Sequence, residues 1–168
     1  MNIKASINKL VVDTSANKKD VRSLLKKDHE EALKIAKEMY ESDDAAHRKA
    51  LLSKLKPALV AHSRAEESAV YDPLLAMKSC EEARGIGNEG YVEHGLLDEL
   101  LEGLAKAKTC AGEKWKAKGK VLYELLSHHV EEEHDVMFSE LAKHYDSDQL
   151  VAMGKAFEAA KLEIKRAA

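Results

Sequence analysis

The chain has 168 residues, of which Ala, Leu, Glu and Lys supply 87 while Val, Ile and Thr supply only 17. That length fits one domain with one sizeable core, and the composition is that of helices, which argues against a second large domain, a sandwich or a barrel. A formal net charge of −3 with 34% charged residues gives a surface of mixed sign and no basic footprint for nucleic acid. Two cysteines, Cys80 and Cys110, are too few for a disulfide framework or a thiolate zinc site and fit a reducing compartment. The N-terminal stretch MNIKASINKLVVDTSANKK has no apolar signal region, so the chain reads as cytoplasmic, with no membrane partner expected. Eight histidines are the one oddity.

Hydrophobic periodicity divides the chain into helices. Residues 1–19 read as an extension. A first helix is expected over about 20–41, with Val21, Leu24, Leu25, Ile35 and Met39 on its apolar side. After the capping residues Ser42, Asp43 and Asp44, a second runs over about 45–78, carrying Leu52, Leu55, Leu59, Val70 and Leu74. Pro57 lies inside it and predicts a kink or local break near Ser53. The stretch 79–90, with Gly85, Gly87 and Gly90, reads as the clearest loop. A third helix is expected over about 91–108 and a fourth over about 113–144. A shorter fifth, carrying Leu150, Met153, Phe157 and Leu162, falls within 146–168. The fold class that follows is all-α: an antiparallel up-and-down four-helix bundle over 20–145, with a short C-terminal helix packed on it.

The apolar stripes are interrupted in a pattern. In the second helix Leu55, Leu59, His62, Glu66, Ala69 and Val70 follow at steps of three or four, so a histidine and a glutamate stand where leucines belong. The fourth helix repeats this with Leu122, Leu125 or Leu126, His129, Glu133, and Val136 or Met137. His29 is in line with Leu25 and Leu33, and His94 with Leu97 and Leu101. Each helix thus offers one inward histidine, and two add a carboxylate one turn later. A carboxylate inside an apolar bundle costs several kcal/mol unless paired or bound to a cation, and no Lys or Arg shares these stripes. Metal resolves the conflict. Imidazole and carboxylate donors without thiolate suit iron, manganese or zinc. His128 competes with His129, since it pairs with Glu132 at the same spacing, but the apolar phase favours His129. His47, His134 and His144 are read as solvated or as lying behind the ligands, and Glu67, about 100° round the helix from Glu66, as solvated.

The segments Leu25–His29, His62–Tyr71, Glu93–His94 and His129–Phe138, in the order His, His-x-x-x-Glu, His, His-x-x-x-Glu, resemble the hemerythrin HHE cation-binding domain over roughly residues 20–145. The resemblance implies a non-haem centre of two iron ions with an oxo or hydroxo bridge. His29, His62, His94 and His129 would be terminal ligands, and Glu66 and Glu133 the bridges. Where the oxygen carriers of that family have His-x-x-x-His on the third helix, this chain reads His94-Gly-Leu-Leu-Asp98. The centre is therefore more open, which favours small-ligand chemistry with O2, NO or peroxide over reversible storage. Tyr91 and Asp98, on the face of His94, are candidates to fill the gap. An enzyme on the same scaffold, peroxidase-like, catalase-like or NO-reducing, is the alternative, and an interaction module with a structural metal is a further one.

Overall fold

Short acidic side chains start the first two helices by accepting free backbone N–H groups. Asp20 accepts from Arg22 N at 2.8 Å ahead of α1 (Val21–Glu41), and Asp44 accepts from Ala46 N at 2.8 Å ahead of α2 (Ala45–Glu66). This computed structural model describes residues 19–167, so the extension expected over 1–19 lies almost wholly outside the described residues. The remaining elements are a π-helical turn (Glu67–Tyr71), α3 (Asp72–Leu75), α4 (Glu81–Ala105), α5 (Glu113–Glu132), a second π-helical turn (Glu133–Met137), α6 (Phe138–His144) and α7 (Ser147–Ala167). The described residues contain no strand, and none of their helices is long and apolar enough to cross a membrane.

Three expectations are corrected. Of the kink or local break expected near Ser53, the break is absent, because α2 runs as one helix through Pro57. An interior proline costs about 3 kcal/mol, whereas burying Leu52, Leu55 and Leu59 on either side of it contributes about 1.5–3 kcal/mol each, so packing decides. The glycine-rich stretch is helix from Glu81 onward rather than loop. Its glycines permit close approach: a Cβ at Gly87 would lie 2.9 Å from Leu75 Cγ, and one at Gly90 would collide with the Tyr71 ring. The fifth helix is as long as α1, 21 residues each, and lies along α1 and α2. Its backbone comes this near because Gly154 has no Cβ to meet the Val21 amide.

α1, α2, α4 and α5 form the bundle, with α1 against α2 and α5 and with α4 against α5 and α2. The core is in two pieces. One is leucine-rich and includes Leu55, Leu59, Leu97, Leu101, Leu122 and Leu126. The other mixes small residues and rings, among them Ala65, Ala69, Tyr71, Ala83, Met137 and Phe157. In each helix the inward histidine falls at the border between the two.

Candidate metal centre

Four imidazoles and two carboxylates meet at that border, all buried. His29 Nε2 lies 3.0 Å from His62 Nε2, and His94 Nε2 lies 3.2 Å from His129 Nε2. The carboxylates connect the two pairs. Glu66 Oε2 is 3.2 Å from His62 Nε2 and 3.6 Å from His94 Nε2, while Glu133 Oε2 is 3.2 Å from His29 Nε2 and 3.7 Å from His129 Nε2. Each glutamate therefore faces one histidine of each pair. The i, i+4 spacing produces this because His62 and Glu66 occupy the last turn of regular α-helix before a π turn, and His129 and Glu133 flank the start of the other.

The donor set fits a pair of cations. Two nitrogens about 2.1 Å from one ion, at a right angle, lie about 3 Å apart, which is the spacing within each histidine pair. Among the described residues, Glu66 Oε1 and Oε2 and Glu133 Oε2 are buried without a hydrogen-bond partner, a costly state that cations relieve. The electrostatics carry the same conflict. Burial pushes Glu133 up, helped by the neighbouring Glu66 charge, to about 8. Burial would also raise Glu66, but the His62, His94 and His29 rings outweigh it and hold that carboxylate well below its usual range. Burial lowers His29 well below its ordinary value, with His62 adding to the effect. For His62 and His94 burial is outweighed by facing carboxylates, and both rise to about 9.

Behind each Nε2, the Nδ1 atom has a partner. His62 Nδ1 is 3.2 Å from Asp28 Oδ2, His94 Nδ1 is 3.1 Å from Glu67 Oε1, and His129 Nδ1 is 2.6 Å from Glu93 Oε2. His29 Nδ1 faces His134 Nε2 at 3.2 Å. An acceptor at Nδ1 fixes the tautomer that leaves Nε2 free to bind an ion. Asp28, Glu93 and the partner role of Glu67 are missing from the sequence reading, yet a signal existed. Asp28 precedes His29, Glu93 precedes His94 and Glu67 follows Glu66, so each is displaced about 100° round its helix toward a histidine on a neighbouring helix. Glu67, expected to be solvated, is 8% exposed, because the π turn beginning there carries it inward onto His94 and Arg64. Tyr71 is a further omission: its hydroxyl donates to Glu133 Oε1, and burial, with Glu66 and Glu133 nearby, raises it well above the usual phenol range.

Neither candidate for the open position points at the cluster. Tyr91 donates to Asp72 Oδ1 at 2.8 Å, and Asp98 is held by Arg64. His129 is buried and His128 exposed, pairing with Glu132 at 3.5 Å. His47 is exposed and pairs with Glu38, whereas His144 pairs with Glu140 away from the cluster. Openings among the described residues reach the ligands. A cavity of about 70 Å³ touches Tyr71, His129 and Glu133, and one of about 270 Å³ touches His29 and His62 beneath Lys54, Lys161 and Lys165.

The family model of the hemerythrin HHE cation binding domain matches residues 20–141. A protein named DNA nickase from Nostoc sp. (strain PCC 7120 / SAG 25.82 / UTEX 2576) is 24% identical over 157 residues, 92% of this chain and 43% of that protein. The chain thus spans less than half the length of that relative. No solved structure matches.

Proposed function

We propose a function from one premise: this chain belongs to the hemerythrin HHE cation-binding domain family. It is a metal-binding protein that holds two iron ions and binds or senses a small ligand, O2, NO or peroxide, or handles iron. His29 and His62 would hold one ion and His94 and His129 the other, with Glu66 and Glu133 as the carboxylate donors shared by the two pairs. The observation that carries this reading is the connectivity: each glutamate faces one histidine from each pair and keeps an oxygen with no hydrogen bond.

When bound, the two ions supply a redox-active Lewis-acid pair for small-ligand binding. The chain's own residues prepare that site. Asp28, Glu67 and Glu93 hold the Nδ1 protons, so that the Nε2 lone pairs of His62, His94 and His129 face the centre. Tyr71 holds one oxygen of Glu133 and leaves the other to the centre. The two apolar clusters exclude bulk water, and the 70 Å³ cavity is of a size for one small molecule.

Metal analysis of iron-reconstituted protein tests the reading, with about two iron atoms per chain expected, an optical spectrum that changes on adding O2 or NO, and loss of both in His62→Ala. Substoichiometric iron, or a spectrum indifferent to these ligands and to that substitution, would overturn it. Catalytic consumption of peroxide or NO, in place of a single stoichiometric event, would assign an enzyme to the same site.

The name of the Nostoc relative suggests a second reading, nicking of DNA, for which this chain's centre would supply the metal. Buried ligands and a formal charge of −3 favour the small-ligand reading, since a phosphodiester backbone needs exposed metal and cationic contacts. Supercoiled plasmid incubated with iron-, manganese- or magnesium-loaded protein separates the two, and a nicked product lost in Glu66→Ala would establish the second.

A further inference from the structure

A second cluster of metal-ligating side chains lies where α6 ends against the start of α4. Cys80 is the residue before α4, while Glu140 and His144 are one turn apart on α6. Cys80 Sγ is 3.4 Å from Glu140 Oε1 and 3.7 Å from His144 Nε2, and those two atoms are 2.8 Å apart. Lys143 Nζ takes the other oxygen, Glu140 Oε2, at 2.7 Å, which leaves Oε1 turned to the sulfur and the imidazole. None of these residues belongs to the family's His and Glu set.

The triangle has the dimensions of one face of a tetrahedral zinc site. With Zn–S of about 2.3 Å and Zn–N and Zn–O of about 2.0–2.1 Å, tetrahedral angles put sulfur about 3.5 Å from the nitrogen or oxygen and those two about 3.3 Å apart. The sulfur edges match within about 0.2 Å, and the third must open by about half an ångström, which the half-exposed His144 side chain can supply. Glu140 is 2% exposed, so one donor is already fixed by packing while Cys80 and His144 stay reachable from solvent. One thiolate, one imidazole and one carboxylate form a borderline set that suits zinc better than calcium or magnesium.

We propose that Cys80, Glu140 and His144 form a second, mononuclear divalent-metal site that takes zinc, with the fourth position left to water. Binding releases the thiol proton to solvent, so the site carries Cys80 as thiolate, Glu140 as carboxylate and His144 neutral. An ion there ties the last turn of α6 to the segment that leads into α4. The sequence expectation that two cysteines cannot make a zinc site holds for all-thiolate sites only. A single thiolate suffices once α6 supplies two other donors.

Cobalt(II) is the probe, because a thiolate ligand gives it a near-ultraviolet charge-transfer band that imidazole and carboxylate ligands do not. Adding cobalt(II) to the full chain is expected to produce this band at one equivalent beyond any taken by the central cluster, and zinc is expected to abolish it by displacement. The band should be lost in Cys80→Ser and in His144→Ala and kept in Cys110→Ser and His62→Ala. Zinc should also slow alkylation of Cys80 and leave Cys110 unaffected, a readout that needs no variant. Absence of the band in the parent protein, its survival in Cys80→Ser, or equal alkylation of Cys80 with and without zinc would overturn the proposal. Loss of the band in His62→Ala would show that the cobalt signal depends on the central cluster and would likewise overturn it.

Discussion

Leucines from α2, α4 and α5 dominate one side of the ligand cluster, backed by Ala36 and Met39 of α1, whereas the other side mixes Leu25, Leu74, Leu141 and Leu150 with alanines, Tyr71, Met137 and Phe157. The buried residues of the first side all come from the four bundle helices. The second also takes Leu150 and Phe157 from α7, and it contains both π turns. Regular α spacing with leucines suffices where four helices meet. Where a fifth packs in, the layer needs small residues for close approach and a few large rings to refill the space. The ligands sit at the border, so one side of the centre is held by uniform packing and the other by a few particular contacts.

That contrast can be broken by substitution. Phe157→Ala is expected to cost about 3–5 kcal/mol and also to lower metal content, because the Phe157 ring packs edge-on at 5.5 Å against His62. Leu101→Ala should cost a comparable 2–5 kcal/mol or so while leaving metal content unchanged. Urea unfolding with metal analysis of the same samples checks both, and equal metal loss in the two variants would erase the distinction between the sides. Gly90→Ala is next, at about 1–3 kcal/mol, since its Cβ meets the Tyr71 ring that holds Glu133. Gly85→Ala, where a Cβ meets nothing within 4 Å, should instead stabilise by up to about 1 kcal/mol through helix propensity. Thermal melts of this pair show whether close approach to Tyr71, rather than glycine itself, is what matters.

The last expected difference depends on pH. Asp28 is moved from 3.8 to about 2: burial would raise it, but hydrogen bonds from His62 and Lys161 outweigh that. A depressed carboxylate contributes stability above its unfolded value, and this is lost as pH falls through the folded one. Asp28→Asn should therefore lower the melting temperature above about pH 4 and converge on the parent protein toward pH 2. A constant gap across that range would show that the ion pair with Lys161, and with it the docking of α7, adds nothing through charge.

How much could be read in advance follows the same division. His29, His62, Glu66, His94, His129 and Glu133 were legible because each replaces an apolar residue on a stripe, and the structure brings all of them together. The leucine side was legible for the same reason. The glycine-rich start of α4 was not, since Gly87 and Gly90 signal a turn until Tyr71 and Leu75 are seen occupying the space beside them. Glu67 was legible only in its place about 100° round the helix from Glu66; its burial was not, since a π turn shifts the helical phase and no residue type announces one.

The sequence by itself determined an all-α chain whose stripes place four histidines and two glutamates inward, because period and polarity are local properties of the order of residues. The tertiary structure decided which histidine pairs with which and which carboxylate stands behind each ring. It also decided that α7 lies along the bundle and that Cys80 meets Glu140 and His144. These are contacts between residues tens of positions apart, fixed by how helices cross and how closely their backbones approach. The eight histidines that stood out in the composition thereby divide by surroundings: four face one another at the centre, His134 backs His29, His144 joins Cys80 and Glu140, and His47 and His128 remain at the surface.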